Sequence, residues 1–448
     1  MSFPRYPNYK DSGVDWLGEV PTHWDAVPIK HLGRLKGGAG FPHDEQGVDG
    51  EELSFHKVNA LAQADTHGTL PPSDNTISRE TAKALGAFVF PPQTIVFAKV
   101  GAALLLGRIR MLNNDACLDN NMMGIVVRDE MACGSFLKYA MSLVRFDMIA
   151  NPGAVPSLNE GQIGDFPLAI PPLPEQSLIA AFLDHETGKI DGLVGEQRRL
   201  MELLQEKRQA VISHAVTQGL NPHAPMKPSG IEWLGDVPTH WEVGALKRYW
   251  SVTDCKHVTA DFVEDGIPLA SIREVQSRWV ALDDAKCTTE HFYAMLIDGD
   301  RLPMPGDLIF SRNATVGEVG QVRADHPRFA MGQDVVLLRK LSRQFSSDYL
   351  QHVIRSTIIS QQLACAMIGS TFKRINVEEI RSFVVPSPPP SEQAEIAAFL
   401  EREIEIFDTL TAEAQRAIDL LQERRSALIS AVVTGQIDVR PLIQSQAA

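Results

Sequence analysis

The sequence predicts an α+β protein, internally duplicated, in which two mixed α/β inserts are separated by two long antiparallel coiled-coil helices related by a pseudo-twofold axis. Three observations predict it. First, SGVDWLGEVPTHW at Ser12 to Trp24 returns as SGIEWLGDVPTHW at Ser229 to Trp241, displaced by 217 residues with ten of thirteen positions identical. Second, EQSLIAAFL at Glu175 to Leu183 returns at Glu392 to Leu400, and LLQEKRQA at Leu203 to Ala210 returns at Leu420 to Ala427, with the same 217-residue displacement. Third, the likeness stops between Asp25 and Ile170 and between Glu242 and Pro386, where register slips and Gly107 pairs best with Gly320. Two like frames carry two unlike inserts, the pattern expected of one scaffold holding two different ligands at a fixed separation.

Taken in order, the segments are a conserved stretch at 1–24, a first insert at 25–171, a long helix at 172–220, the repeated stretch at 221–241, a second insert at 242–388, a second long helix at 389–436 and a tail at 437–448. The Gly, Pro and paired Trp of the WLG-VPTHW stretch predict a compact, non-helical packing unit. Gly33 to Gly40 (GRLKGGAG) predicts a flexible loop entering the first insert, and it lacks the GK[ST] ending of a phosphate cradle. Short apolar or alternating runs between turn residues predict strands at Thr94 to Ala98, Gly124 to Val127, Asp307 to Ser311 and Val335 to Leu338. Helices are expected over Cys133 to Ala150 and Ser347 to Ala366.

Each insert ends in prolines, IPPLPEQ at Ile170 to Gln176 and VPSPPPSEQ at Val385 to Gln393. Proline is tolerated at a helix start and excluded from its interior, so the long helices begin there. Ile190, Leu193, Gln197, Leu200, Leu204, Lys207 and Val211 then recur at spacings of three and four, as do Phe407, Leu410, Ala414, Ala417, Leu421, Arg424 and Leu428. That is a coiled-coil seam. No breaker interrupts either run before Gly219 and Gly435, and about 40 residues at ~1.5 Å each give a rod of roughly 60 Å. Lys207 and Arg424 either pair with carboxylates of the facing helix or snorkel outward. The plainer alternative is that each helix packs on its own domain.

At 448 residues the chain exceeds one ordinary core of roughly 100–200 residues. A formal charge of −14 argues against a general nucleic-acid coat, whose affinity comes from phosphate neutralisation, but leaves room for a specific reader with local basic clusters. No apolar run approaches the roughly 18 residues of a membrane span, and the N-terminus lacks a signal core, which predicts a cytoplasmic protein. The five cysteines lack CxxC spacing, so neither a disulfide framework nor a zinc site is indicated. No NPPY or DPPY adenine-pocket motif is present; Asn151-Pro152-Gly153 is not one. Asp74 to Lys83 has the wrong acid-to-lysine spacing for a nuclease metal site, and His23 and His240 read as packing or capping residues.

The WLG-x-VPTHW stretch before each insert, the PPLPEQ-like entry into a long helix, EQ-x-x-IAAFL, and the ALISAVVTG ending at Ala427 to Gly435 together resemble the specificity subunit of type I restriction-modification systems. The resemblance covers nearly the whole chain. It implies that the inserts are target recognition domains, each reading one half of a bipartite double-stranded DNA sequence. It implies too that the helices dock two modification subunits, which carry S-adenosylmethionine and methylate adenine, and that restriction subunits complete the nuclease. No cofactor is expected in this chain, which by the resemblance is not itself a catalyst. Divergent inserts predict an asymmetric target, with half-sites about one DNA turn (~34 Å) apart.

Base edges are read mainly by Arg, Lys, Asn and Gln. Such residues lie just after strands at His56, Lys57, Asn59 and Lys99, and just before one at Asn120 and Asn121. The second insert has Arg273, Arg312 and Gln333 in matching places, with Lys373 and Arg374 near its end. Asn159 and Asn376 are expected to shape a turn. Two other classes compete: a coiled-coil adaptor whose inserts bind proteins, and a free-standing DNA methyltransferase.

Overall fold

The structure, a computed structural model, describes residues 3–65, 68–366 and 374–444. It divides into two compact units, Met1–Arg198 with Gln415–Ala448, and Arg199–Ala414. Each unit therefore holds one insert, one copy of the repeated stretch and part of both long helices.

The repeated stretch folds as a small hairpin in both copies, Tyr9–Asp11 against Glu19–Pro21 and Met226–Pro228 against Asp236–Pro238. Its last tryptophan, Trp24 or Trp241, is fully buried. The ends of each insert are then stapled together by a two-strand ribbon, Asp25–Pro28 with Pro167–Ile170 and Glu242–Ala245 with Val384–Ser387. That ribbon delivers the chain to the prolines that start the helix.

In the first insert β1 (Gly33–Gly37), β2 (Ile95–Ala98), β3 (Arg110–Met111) and β4 (Met122–Val127) form a sheet of order β1-β4-β2-β3, all antiparallel. The first long helix, α1, spans Leu173–Gln218. In the second insert β5 (Trp250–Asp254), β6 (Leu308–Ser311), β7 (Val319–Gln321) and β8 (Val335–Lys340) repeat the order as β5-β8-β6-β7. The second long helix, α2, spans Pro390–Val433. Each insert adds a smaller sheet with one parallel pair, Leu53–His56 with Ala116–Leu118 and Ile267–Ala270 with Ala330–Met331. The inserts are unlike in sequence and alike in topology.

Strand pairing also corrects the sequence register. Val96 faces Arg110 while Ile309 faces Gly320, so the counterpart of Gly107 is Gly317, not Gly320. The stretch Gly33 to Gly40 is no flexible loop either: Gly33–Gly37 is strand β1. Gly33, Gly37 and Gly38 serve close approach; a Cβ on Gly38 would lie 2.0 Å from the Asp119 carbonyl oxygen. The two expected insert helices are each split, into Gly134–Met141 and Phe146–Ile149, and into Ser347–Ile354 and Thr357–Ala366. The same device ends the first piece of both: a serine hydroxyl, Ser142 or Ser356, donates 2.6 Å back to the carbonyl three residues earlier, competing with helix continuation.

The repeated Glu-Gln pair at each helix start explains itself in the structure. Glu175 accepts from the Tyr6 hydroxyl (2.6 Å) and the Trp24 indole (3.4 Å), and its other oxygen lies 2.8 Å from His23 Nε2. Glu392 meets His240 Nε2 at 2.8 Å and accepts from the Trp241 indole at 3.0 Å. The following glutamine turns to the insert, Gln176 Oε1 accepting the Cys133 amide and Gln393 Oε1 the Ser346 amide. His23 and His240 are thus packing partners of a helix-start carboxylate.

The helix ends close on the same tryptophans. α1 stops at Gly219 and α2 at Gly435, both at φ +74°, the left-handed C-terminal position that glycine adopts at least cost. A Cβ on Gly435 would lie 3.4 Å from the Trp24 ring, and one on Gly219 3.2 Å from Trp241. In each unit, then, the repeated tryptophan sits between the start of one long helix and the end of the other. Within each unit the two helices run antiparallel.

The seam between them is one residue out of phase with the sequence reading at alternate positions. Leu193, Leu200 and Leu410 are 47%, 44% and 41% exposed, while Ile190, Val194, Phe407, Ala414, Ile418 and Leu428 are buried and Met201, Leu204, Val211 and Leu421 are partly so. The polar seam residues shift likewise, from Lys207 and Arg424, both exposed, to Arg208 and Arg425. In the first unit Arg425 Nε and Nη2 fork onto Asp191 at 2.9 and 3.2 Å. In the second, Arg208 Nη1 donates to Asp408 at 2.6 Å.

Candidate nucleic-acid interface

The loops at one end of each main sheet converge through backbone hydrogen bonds. In the first unit the Lys99 amide donates to the Asn121 carbonyl (2.8 Å), Leu158 to Lys99 (2.9 Å), Asp119 to His56 (3.0 Å) and Ala39 to Leu118 (2.9 Å). In the second unit Arg312 donates to Asp334 (3.0 Å), Ile375 to Arg312 (2.9 Å) and Gly332 to Ala270 (2.8 Å). Position for position, Lys99, Asn120, Asn121 and Ser157 correspond to Arg312, Gln333, Asp334 and Arg374. A capping-box helix closes each cluster: Asn159 accepts the Gln162 amide and Asn376 the Glu379 amide, each answered by the Gln or Glu side chain. Those asparagines are structural, holding the loop end rigid.

In the first cluster His56 is enclosed, 3% exposed, with Nδ1 lacking a partner, and burial pushes its pKa down to about 4. It is a neutral interior imidazole, not a group offered to a ligand. The Lys57 ammonium pairs with Gln46 Oε1 and sits 5.3 Å above the Phe41 ring. Asn59, Asn120 and Asn121 are exposed and Lys99 is half-buried. The Lys99 ammonium lies against Gly37, whose amide donates to Glu160 at 3.0 Å. Asp119 anchors the turn, accepting the Asn121 amide at 2.8 Å, and burial raises its pKa.

In the second cluster Arg273 is exposed, its guanidinium clipped to Glu274 (3.0 Å) and the Asp284 carbonyl. Arg312, expected at the surface, is instead 5% exposed. Its Nε lies 3.5 Å from Asp254 Oδ1 and its Nη2 3.5 Å from His257 Nε2. An acid at the end of β5 draws the arginine inward, since a buried guanidinium needs a countercharge. Gln333 and Arg374 are exposed, Gln333 donating 3.1 Å to the Thr259 hydroxyl. Lys373 lies outside the described residues. The sequence reading missed His257 and Thr259, although both follow a strand as the chosen residues do.

Among the described residues no three or more His, Cys, Asp or Glu side chains are placed to hold a metal ion, and no helix is long and apolar enough to cross a membrane. The cysteines are unpaired, Cys117 and Cys255 buried and Cys365 exposed. Each unit thus presents a rigid loop cluster bearing amide and cationic side chains on a common backbone frame.

Fold and clusters together define a duplicated recognition scaffold. A family model described as the type I restriction modification DNA specificity domain matches residues 21–192 and 294–419. These stretches make up well over half of the chain, which belongs to that family. It is similar to the type I restriction enzyme MjaVIII specificity subunit of Methanocaldococcus jannaschii, 22% identical over 297 residues, 64% of this chain and 66% of that one. It is also similar to the type I restriction enzyme EcoKI specificity subunit of Escherichia coli, 22% identical over 439 residues, 94% of this chain and 90% of that one. The chain spans just under two thirds of the archaeal MjaVIII and MjaX subunits it matches. A chain from a structure on complex assembly and conformational transition of the type I R-M system shares the fold, with a TM-score of 0.67 at 15% identity over 92% of this chain and 98% of that one.

Proposed function

We propose that this chain is the DNA sequence-specificity subunit of a type I restriction-modification complex, reading an asymmetric bipartite target with one insert per half-site. The observation that carries this is the pair of loop clusters, which share three matched backbone hydrogen bonds and differ in side chain. Equal frames with unequal readers suit two different short sequences. The same frames with equal readers would suit a palindrome.

The chain itself performs no chemistry in this reading. Methyl transfer from S-adenosylmethionine to adenine falls to two modification subunits docked on the long helices, and cleavage to restriction subunits. Supporting the docking are the apolar side chains that the shifted seam leaves exposed on the long helices, Leu193 and Leu420 in the first unit and Leu200, Leu203, Ile406 and Leu410 in the second.

Genome-wide mapping of methyladenine, with and without this gene, tests the reading. A bipartite asymmetric motif that disappears on deletion is expected. Expression with the modification partner that leaves DNA unmethylated at any fixed motif would refute it.

A further inference from the structure

At two matched positions the second cluster differs from the first in where the cation is accessible. At the position after the second sheet strand, the first unit has the half-buried Lys99 and the second has Arg312, whose side chain is turned inward to Asp254 and His257. At the position before the capping box, the first unit has Ser157 and the second has the exposed Arg374. The cation has moved across the cluster, from the strand end to the edge of the capping-box helix.

Arg374 is well placed to carry a directional contact. Asn313 and Arg374 form a β-bridge, the next residue, Ile375, donates its amide to the Arg312 carbonyl at 2.9 Å, and Asn376 caps the following helix. Its backbone is held by the bridge and by the two residues that follow it. Among the described residues its guanidinium has no hydrogen-bond or ion-pair partner, whereas Arg312 is held in the interior. The supporting turns are strained, Ala314 at φ 56° and Asp334 at φ 64°, conformations that non-glycine residues keep where surrounding structure imposes them and that gather at functional sites.

We propose that Arg374, an exposed residue of the cluster, makes a base-specific contact of the second insert, reading a G·C pair in duplex DNA, and that Arg312 is a positioning residue that fixes the loop from within. A guanidinium presents a planar fork of donors, the complement of guanine O6 and N7 in the major groove. A buried arginine can present no such fork. The inference rests on the DNA-specificity reading above and assigns the residue within it.

The test is methyladenine mapping in the native host carrying the full chain as wild type, Arg374→Gln or Arg312→Lys, with the melting temperature of each purified protein. For Arg374→Gln we expect one G·C position in one half-site to become degenerate, discrimination there falling roughly 10- to 100-fold, with the other half-site and the melting temperature unchanged. For Arg312→Lys we expect an unchanged motif and a lower melting temperature. An intact motif in Arg374→Gln overturns the proposal, as does relaxation at an A·T pair or a rewritten motif in a thermally unchanged Arg312→Lys. A wild-type strain with no bipartite motif overturns the functional reading itself, and this assignment with it.

Discussion

At the scale of single residues, two positions make testable statements about stability. Ala314 occupies the left-handed position that Gly101 (φ +77°) fills in the first insert. A Cβ there costs roughly 1–2 kcal/mol, partly offset by the backbone entropy that glycine loses on folding. Ala314→Gly should therefore stabilise the protein by about 0.5–1 kcal/mol and raise its melting temperature, while Gly101→Ala should lower it. His56 supplies a pH dependence. Its burial-depressed pKa of about 4, against an ordinary 6.5, means the unfolded chain takes up a proton between those values that the folded chain refuses. Stability thus declines as pH falls from 6.5 to 4 and levels off below, a loss on the order of 3 kcal/mol from this one group. His56→Leu should flatten that limb in acid-unfolding curves while changing little at pH 7. The places of His56 and Arg312 at strand ends were legible in the sequence, but which way each side chain turned was not. Burial of Arg312 follows from Asp254, a residue 58 positions earlier, and no local pattern reports it.

At the scale of elements, the long helices were readable in nearly every respect: prolines at the start, glycine at the end, one apolar stripe between. The phase of the stripe was not, for a specific reason. Leu193-Val194, Leu200-Met201, Leu410-Thr411, Ala417-Ile418, Lys207-Arg208 and Arg424-Arg425 are doublets, so two seams one residue apart fit the same period. Tertiary packing chose the second, with Arg425 on Asp191 and Arg208 on Asp408 across the helices. Val194→Ala should cost about 1–2 kcal/mol and Leu193→Ala less than about 0.5 kcal/mol in denaturant unfolding; the reverse order would restore the first phase. Asp191 and Arg425 offer a second check. Each single replacement by alanine should destabilise, and the double-mutant cycle should show a coupling of about 1 kcal/mol, reduced in high salt because the pair is only half-buried.

At the scale of the whole molecule, charge and topology answer different questions. With a formal charge of −14, the purified chain alone should bind random-sequence duplex no more tightly than about 10⁻⁶ M near 0.15 M salt. Fluorescence anisotropy measures this directly, and nanomolar binding without partners would contradict it. Topology, by contrast, shows that divergence spared the frame. The family match resumes only at residue 294, yet Trp250–Asp254 and Ile267–Ala270, before that point, hold the same sheet places as Gly33–Gly37 and Leu53–His56. Sheet places are set by alternation and burial, which tolerate wide substitution. Loop side chains lie outside that constraint and have diverged between the two inserts.

The duplication, the helix limits and the family were determined by sequence alone, because repeats, prolines, glycines and apolar periodicity are local or self-referring signals. Only the tertiary structure decided the seam phase, the shared topology of the two inserts and the inward turn of Arg312. Each of these depends on what a residue meets across the fold, and that meeting is fixed by packing and countercharge between segments far apart in the chain.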